Sequence, residues 1–306
     1  MMLWIYWWNV IWQLRPACAR TTSLLWFAVC VAGLSIRTDL LGLTSIVRAL
    51  GLDVKCYDRL RHTLHGKGIK LEEMTRLWAQ VVLRVFPCVF RLNGRIVLLG
   101  DGIKIPKSGK KMPAVKLLHQ QSESNTKPEY IMGHSFQAIA LLVSACQSVF
   151  AVPLASRIHE GIVFSNRDHR TLLDKMVALL GSLAISMPFY FVADAYYASG
   201  KVIRPLLLQG NYLITQVRIN AVAFHPAPGP KGPRTKGRPK KYGKKVRLRS
   251  LLSDTEKMQT AESPVYGEKN VTIRFRSVDL LWKPVGVMVR FVMVVHPTRG
   301  SRILMS

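Results

Sequence analysis

Phe189-Tyr-Phe-Val-Ala-Asp194-Ala-Tyr-Tyr-Ala-Ser-Gly200 is the stretch on which the fold turns. A short apolar run bounded by turn residues reads as a buried strand, and here it ends on an acid. The chain holds a second segment of this kind, Arg95-Ile-Val-Leu-Leu-Gly100-Asp101. Around the two, Ser135 to Ala145 and Phe150 to Ile158 read as strands, Asp168 to Leu183 as a helix, Ser199 to Leu208 as a helix and Tyr212 to Val217 as a strand. Runs of strands followed by strand and helix in alternation specify an α/β fold, a mixed sheet with flanking helices. In such a sheet adjacent parallel strands bring their tips to one crevice, so Asp101 and Asp194 are expected to share a site.

An aspartate after a strand also serves as a turn former or helix cap. Charge context separates the two roles. The 306 residues carry 44 Lys and Arg against 17 Asp and Glu, a net charge of +27, so acids placed after fully apolar runs are not explained by solubility. Hard divalent cations, Mg²⁺ or Mn²⁺, take oxygen ligands from a few carboxylates plus substrate phosphates. Asp101 and Asp194 are therefore the candidate catalytic and metal-binding residues. The same charge balance, with a pI near 10.4, points to a polyanion as partner, and DNA or RNA leads. Hydrophobic residues at 49% and charged residues at 20% describe a folded body, neither disordered nor a polytopic membrane bundle.

The five cysteines are scattered, with no C-x-x-C pair, which fits a reduced, cytoplasmic setting in which they act as small buried hydrophobes. Met1 to Trp12 and Thr21 to Ile36 are strongly apolar, yet each is shorter than the roughly 18 to 20 residues that span a bilayer, and Arg15, Pro16 and Arg20 separate them. No membrane role is expected. From Ser23 to about Phe90 the pattern is helical. Within it Thr44 is placed to cap a helix Ser45 to Leu50, Gly51-Leu52 makes a turn, and Val54 to Leu64 forms a second helix bearing Arg59 and Arg61, the outline of a helix-turn-helix.

Ala227 to Lys245 interrupts the α/β rhythm with Pro, Gly and cations and no acid, and reads as a solvated segment outside the core. Strand character resumes at Val271 to Phe275 and Val285 to Val295, and Ile303 to Met305 opens another apolar run.

Asp101-Gly-Ile-Lys-Ile-Pro-Lys-Ser-Gly-Lys-Lys-Met-Pro113, Pro128-Glu-Tyr-Ile-Met-Gly-His134 and Phe191-Val-Ala-Asp194-Ala-Tyr-Tyr-Ala-Ser-Gly200 resemble the DDE-type transposases of bacterial insertion sequences. The resemblance covers roughly residues 15 to 306. It implies a helical DNA-binding front, residues 1–92, followed by a ribonuclease-H-like catalytic domain, residues 93–306, with a basic insertion at 220–270. It further implies metal-dependent cleavage and strand transfer at the terminal repeats of an element and at target DNA, a homodimer by analogy, and a nucleoid-associated place in a bacterial cytoplasm. The family's third acid is a Glu within a Tyr, Arg, Glu and Lys signature that has no counterpart here. Glu256, Glu262 and Glu268 precede the last strands, so no third carboxylate is assigned. The chain then reads as a C-terminally shortened transposase, expected to bind DNA without cutting it efficiently, with an inactive fragment that competes with or partners a full-length enzyme as the alternative.

Lys236-Gly237-Arg238-Pro239-Lys240-Lys241 resembles the core of an AT-hook, whose Arg enters the narrow minor groove of A·T-rich DNA. A plain basic loop that holds phosphates is the simpler alternative. Lys244 and Lys245 extend this charge, and Arg218, leaving the strand that ends at Val217, is a further candidate backbone contact. His134, which could approach the site, and Tyr196 and Tyr197, which could stack on a flipped base, are read as packing residues.

Overall fold

The computed structural model describes residues 2–39, 42–109, 112–119, 128–145, 148–159, 170–229, 239–265 and 267–306. The chain divides into two compact units, Met1–Val89 with Leu180–Ser186, and Phe90–Leu179 with Met187–Ser306.

The first unit carries α1 (Met2–Trp12), α2 (Thr21–Ile36), α3 (Gly42–Ala49), α4 (Cys56–His65) and α5 (Leu71–Val85). A helix apolar on every side can bury more than one face. α2 does so: Leu24 and Ala28 join Ile11, Leu14, Leu77 and Val81 in one core, while Cys30 joins Ile46, Val47 and Leu60 in another. A side chain at Gly33 would fall 2.4 Å from Ile46 Cγ2, so the glycine lets α3 seat directly on α2. Gly51, with φ at 61°, turns the chain out of α3 in the left-handed conformation that costs glycine nothing. The expected helix pair is present with shifted bounds. Thr44 lies inside α3 rather than capping it, and Val54 stays outside α4, because the Asp53 carboxylate accepts the Lys55 N–H at 2.8 Å and holds a turn there. Trp4, Trp8 and Trp12 of α1 are exposed. Among the described residues no helix is long and apolar enough to cross a membrane.

The second unit is a sheet. β1 (Arg91–Leu92) turns through Asn93 and Gly94, both at positive φ, into β2 (Arg95–Pro106), an Asn-Gly hairpin. β3 (Lys116–His119), β4 (Tyr130–Ala145) and β5 (Ser148–His159) follow, then α6 (Leu172–Ser182), β6 (Phe189–Ala193), α7 (Gly200–Leu208) and β7 (Tyr212–Val217). β5, β4 and β2 pair antiparallel, whereas β2, β6 and β7 pair parallel. This is the mixed, ribonuclease-H-like arrangement with flanking helices. Buried here are Ile96, Leu98, Ile139, Leu141 and Phe191 of the strands, Met176 of α6, and Val202, Ile203 and Leu206 of α7.

The chain continues through β8 (Val222–Pro226), β9 (Tyr242–Arg247), α8 (Leu248–Leu252), β10 (Gln259–Glu262), β11 (Thr272–Trp282), β12 (Val287–His296) and β13 (Gly300–Met305). β13 hydrogen-bonds to β7, with Ile303 opposite Val217, so these strands extend the central sheet. Two sequence expectations are corrected here. Lys244 and Lys245 lie on β9, which pairs with β8, so the basic segment is partly strand and not wholly loop. β11 runs far past Phe275 because its pairing with β12 persists from Arg274 opposite Val295 to Trp282 opposite Val287. The helix expected from Asp168 starts at Leu172, where Asp174 accepts from the Thr171 N–H at 2.8 Å and hydroxyl at 2.6 Å; residues 160–169 lie outside the described set.

Glu268 fastens the turn between β12 and β13. Ser263 Oγ donates to it at 2.6 Å, His296 Nε2 at 2.8 Å and Arg299 Nε at 2.7 Å. The backbone N–H groups of Thr298 and Arg299 point at His296 Nδ1, which assigns the ring proton to Nε2. The Ser263 and His296 hydrogen bonds, helped by Arg299, pull the Glu268 carboxyl from 4.5 down to about 2. An acid whose folded value lies below its unfolded one stabilises the fold above the unfolded value and loses that contribution as pH falls through the folded one. Thermal melts of Glu268→Gln should therefore start below wild type at neutral pH, and the gap should close between pH 4.5 and about 2. A constant gap would show that the carboxylate charge is not what holds this turn.

Candidate active site

The geometry of the two aspartates follows from strand register. β2 and β6 run parallel with Gly100 beside Ala193, so the next residues, Asp101 and Asp194, leave neighbouring strands at the same level. β2 changes there from buried residues to exposed ones. Asp101 is not at the end of its strand, as the sequence suggested. β2 continues to Pro106 because the longer β4 still pairs with it, Asp101 opposite Ala138 and Pro106 opposite Gly133. Asp101 instead marks the point where β2 loses its parallel neighbour.

β6 stops at Asp194, which caps a 3-10 turn spanning Ala195–Tyr197: its Oδ1 accepts the Tyr196 N–H at 3.1 Å, and its carbonyl accepts the Thr215 hydroxyl at 2.6 Å. Asp101 Oδ1 accepts the Gly102 N–H at 2.7 Å. Each carboxylate thus spends one oxygen on the backbone. Among the described residues neither pairs with a cation, in a chain that carries +27. Shielding from water pushes the Asp194 carboxyl above its ordinary range, and the Asp101 charge adds to that rise against the Tyr196 N–H.

The aspartates line a pocket of about 340 Å³ together with Lys104, His119, Ser135, Gln137 and Tyr197. Lys104 Nζ donates to the His119 carbonyl at 2.6 Å. Tyr197 is buried, and burial with the Asp194 and Asp101 charges raises its pKa against the hydrogen bond from Gln137, so it remains a neutral hydroxyl. His134 is buried with Nε2 2.9 Å from the Pro113 carbonyl, a packing role as expected. In a larger groove of about 580 Å³, lined by Arg95, Tyr190 and Tyr212, Asp279 is the acidic side chain among the described residues, and Arg290 binds it at 2.7 Å and 2.8 Å. Sequence reasoning missed His119, Ser135 and Gln137 as pocket residues, and among them Gln137 is the buried amide. Its signal was a polar side chain within the apolar run Phe136 to Leu142.

Gly100 supports the pair by lacking a side chain: a Cβ there would fall 2.3 Å from the Phe191 ring. Gly100→Ala should cost about 1–3 kcal/mol through overpacking. Denaturant unfolding measures it, and an unchanged midpoint would mean that Phe191 moves freely.

The candidate DNA contacts are spread over both units. Arg59 and Arg61 are exposed on α4 and line a groove with Arg20, Trp26 and His62, Arg61 lying 3.2 Å from Asp58. Arg218 shares a groove with Arg249, Asn220 and Ser253. Pro239, Lys240, Lys241, Lys244 and Lys245 are exposed. Lys236, Gly237 and Arg238 lie outside the described residues.

A sequence family described as DDE superfamily endonuclease matches residues 19–280. The chain belongs to the DDE superfamily endonucleases. No curated protein sequence matches it. Among solved structures, the piggyBac transposase in a synaptic complex with hairpin DNA is similar at a TM-score of 0.41 and 13% identity, over 94% of this chain and 52% of that one. The chain thus spans about half the length of that transposase. DDE superfamily endonucleases generally use divalent metal ions. The donor set here fits such an ion: two carboxylates in one pocket are hard oxygen ligands, and among the described residues no thiol or thioether lines it. Among the described residues no group of three or more acids, histidines or cysteines gathers to hold a metal.

Proposed function

We propose that this chain binds DNA and acts in transposition, with Asp101 and Asp194 holding Mg²⁺ or Mn²⁺ beside a phosphodiester of an insertion-sequence end. The observation that carries this reading is the register of Gly100 beside Ala193, from which both carboxylates project into one pocket. Ions bound there would supply an activated water for cleavage and charge stabilisation for the leaving oxygen. The residues themselves fix the site. Backbone N–H groups orient both carboxylates, Thr215 holds the Asp194 carbonyl, and Tyr197 closes the pocket with a neutral side chain. The basic groups on α4, on β9 and around Arg218 neutralise DNA phosphates. A homodimer and a nucleoid-associated, cytoplasmic place in a bacterium accompany this reading.

A second reading, DNA binding without efficient cleavage, is favoured by the acid count. Among the described residues lining the pocket, Asp101 and Asp194 are the acids, while Glu268 is committed to His296 and Arg299. Incubating the protein with supercoiled plasmid carrying element ends, in Mg²⁺ or Mn²⁺, separates the two. Nicking that disappears in Asp101→Asn supports the enzyme; tight binding without nicking supports the second reading; nicking unchanged in Asp101→Asn rejects the site.

A further inference from the structure

Gln137 sits opposite Gly102 in the β2–β4 ladder and is 1% exposed. Its Nε2 donates to the Leu172 carbonyl at 2.8 Å and to the Tyr197 hydroxyl at 3.0 Å. The Leu172 carbonyl fixes which way the amide faces, because a flipped amide would set two acceptors against each other. Two consequences follow. The Tyr197 oxygen, already accepting a hydrogen bond, keeps its own proton free to donate. Gln137 Oε1 is enclosed and accepts no hydrogen bond among the described residues. Buried polar atoms are nearly always satisfied, so this oxygen stands out among the groups around the pocket.

The Tyr197 side chain shares its pocket with the aspartates. A Cβ on Gly102, the residue after Asp101, would stand 3.7 Å from the phenolic oxygen, and Tyr197 and Gln137 both line the pocket with Asp101 and Asp194. We propose that Gln137 and Tyr197 form a neutral positioning arm of this pocket, in which Gln137 pins the tyrosine so that its hydroxyl donates to a phosphoryl oxygen held against the aspartate-bound ion. The proposal rests on the metal-site reading of Asp101 and Asp194 and adds to it the recognition of the phosphate. A neutral donor suits the place. A lysine there would compete with the cation for the carboxylates, whereas a phenol donates without adding charge. Gln137 acts through Tyr197, and Tyr197 touches the substrate.

The test uses the full chain loaded with Mn²⁺, with inorganic phosphate as probe. Mn²⁺ affinity is read by electron paramagnetic resonance, and phosphate binding by paramagnetic broadening of the ³¹P signal. Tyr197→Phe removes one oxygen, and it should bind Mn²⁺ within about twofold of wild type while losing about tenfold in phosphate affinity, the worth of one hydrogen bond to a charged oxygen. Gln137→Met leaves the tyrosine unpinned and should lose a similar amount. The double variant should be no weaker than Tyr197→Phe alone, because the two act as one arm. Circular dichroism melts identify any variant that fails to fold, and the other single variant then carries the comparison. Unchanged phosphate affinity in a folded Tyr197→Phe or Gln137→Met, or additive losses in the double variant, would overturn the proposal. Failure of wild type to bind Mn²⁺ would instead remove the metal reading beneath it.

Discussion

Asp101→Asn and Asp194→Asn should each lower Mn²⁺ affinity at least on the order of a hundredfold, and any Mg²⁺-dependent nicking by about a thousandfold, with the protein fully folded. The floor comes from metal sites at large, where loss of a supporting outer partner alone costs about 10–100-fold, and a first ligand is worth more. The nicking figure reflects a reaction driven by positioning and charge stabilisation, in which one misplaced stabilising group costs about 10²–10³-fold. Asparagine keeps the oxygen that accepts the Gly102 or Tyr196 N–H, so the local turn survives. The stability sign is also set. Shielding from water and the Asp101 charge raise the Asp194 pKa, so the ionised form costs the fold stability at neutral pH, and a neutral asparagine relieves that cost. Melting of Asp194→Asn at pH 7 should therefore match or exceed wild type. Asp279→Asn is the control, since Asp279 faces Arg290 in a separate groove and its loss should leave Mn²⁺ affinity unchanged. Calorimetric titration with Mn²⁺ decides the matter: wild-type affinity in both aspartate variants would detach them from any metal.

The part of this site that could be read in the sequence was the part set by local pattern. The apolar run ending in Asp194 announces a strand tip, the run ending in Asp101 marks where β2 leaves its parallel neighbour, and parallel pairing aligns the two. What could not be read was set by partners distant in the chain. β2 outlasts Asp101 because β4 is long enough to pair with it, although the alternation of Ile103 and Ile105 hinted at a continuing strand. The insertion of β13 beside β7 is likewise a long-range choice, since hydrophobic alternation marks a strand but not its neighbour. Gln137 was invisible as a pocket residue for a related reason. A single polar residue in an apolar strand reads as a defect until the fold places Tyr197 and Leu172 against it.

DNA binding should fall steeply with salt, and replacing Lys240, Lys241, Lys244 and Lys245 together by alanine should flatten that dependence. Each phosphate neutralised contributes about 0.9 to the slope of log affinity against log salt, so four lost contacts remove about 3.6 units and, between 1 M and 0.15 M salt, about a thousandfold of affinity. All four side chains are exposed, and Lys244 and Lys245 stand on β9 with their backbone already paired to β8, so the variant should retain its fold. Arg59→Ala with Arg61→Ala should have a smaller effect, because Arg61 lies 3.2 Å from Asp58 and is partly neutralised before DNA arrives. Fluorescence anisotropy on a labelled duplex across a salt series measures both. Competition at fixed salt then separates the two modes weighed for this segment. An extended Gly-Arg-Pro in the minor groove favours A·T-rich over G·C-rich competitor, because the narrow A·T groove concentrates negative potential; a phosphate-holding strand and loop prefers neither. A slope unchanged in the four-lysine variant would move the DNA off β9 altogether and leave the grooves around Arg59 and Arg218 to account for binding.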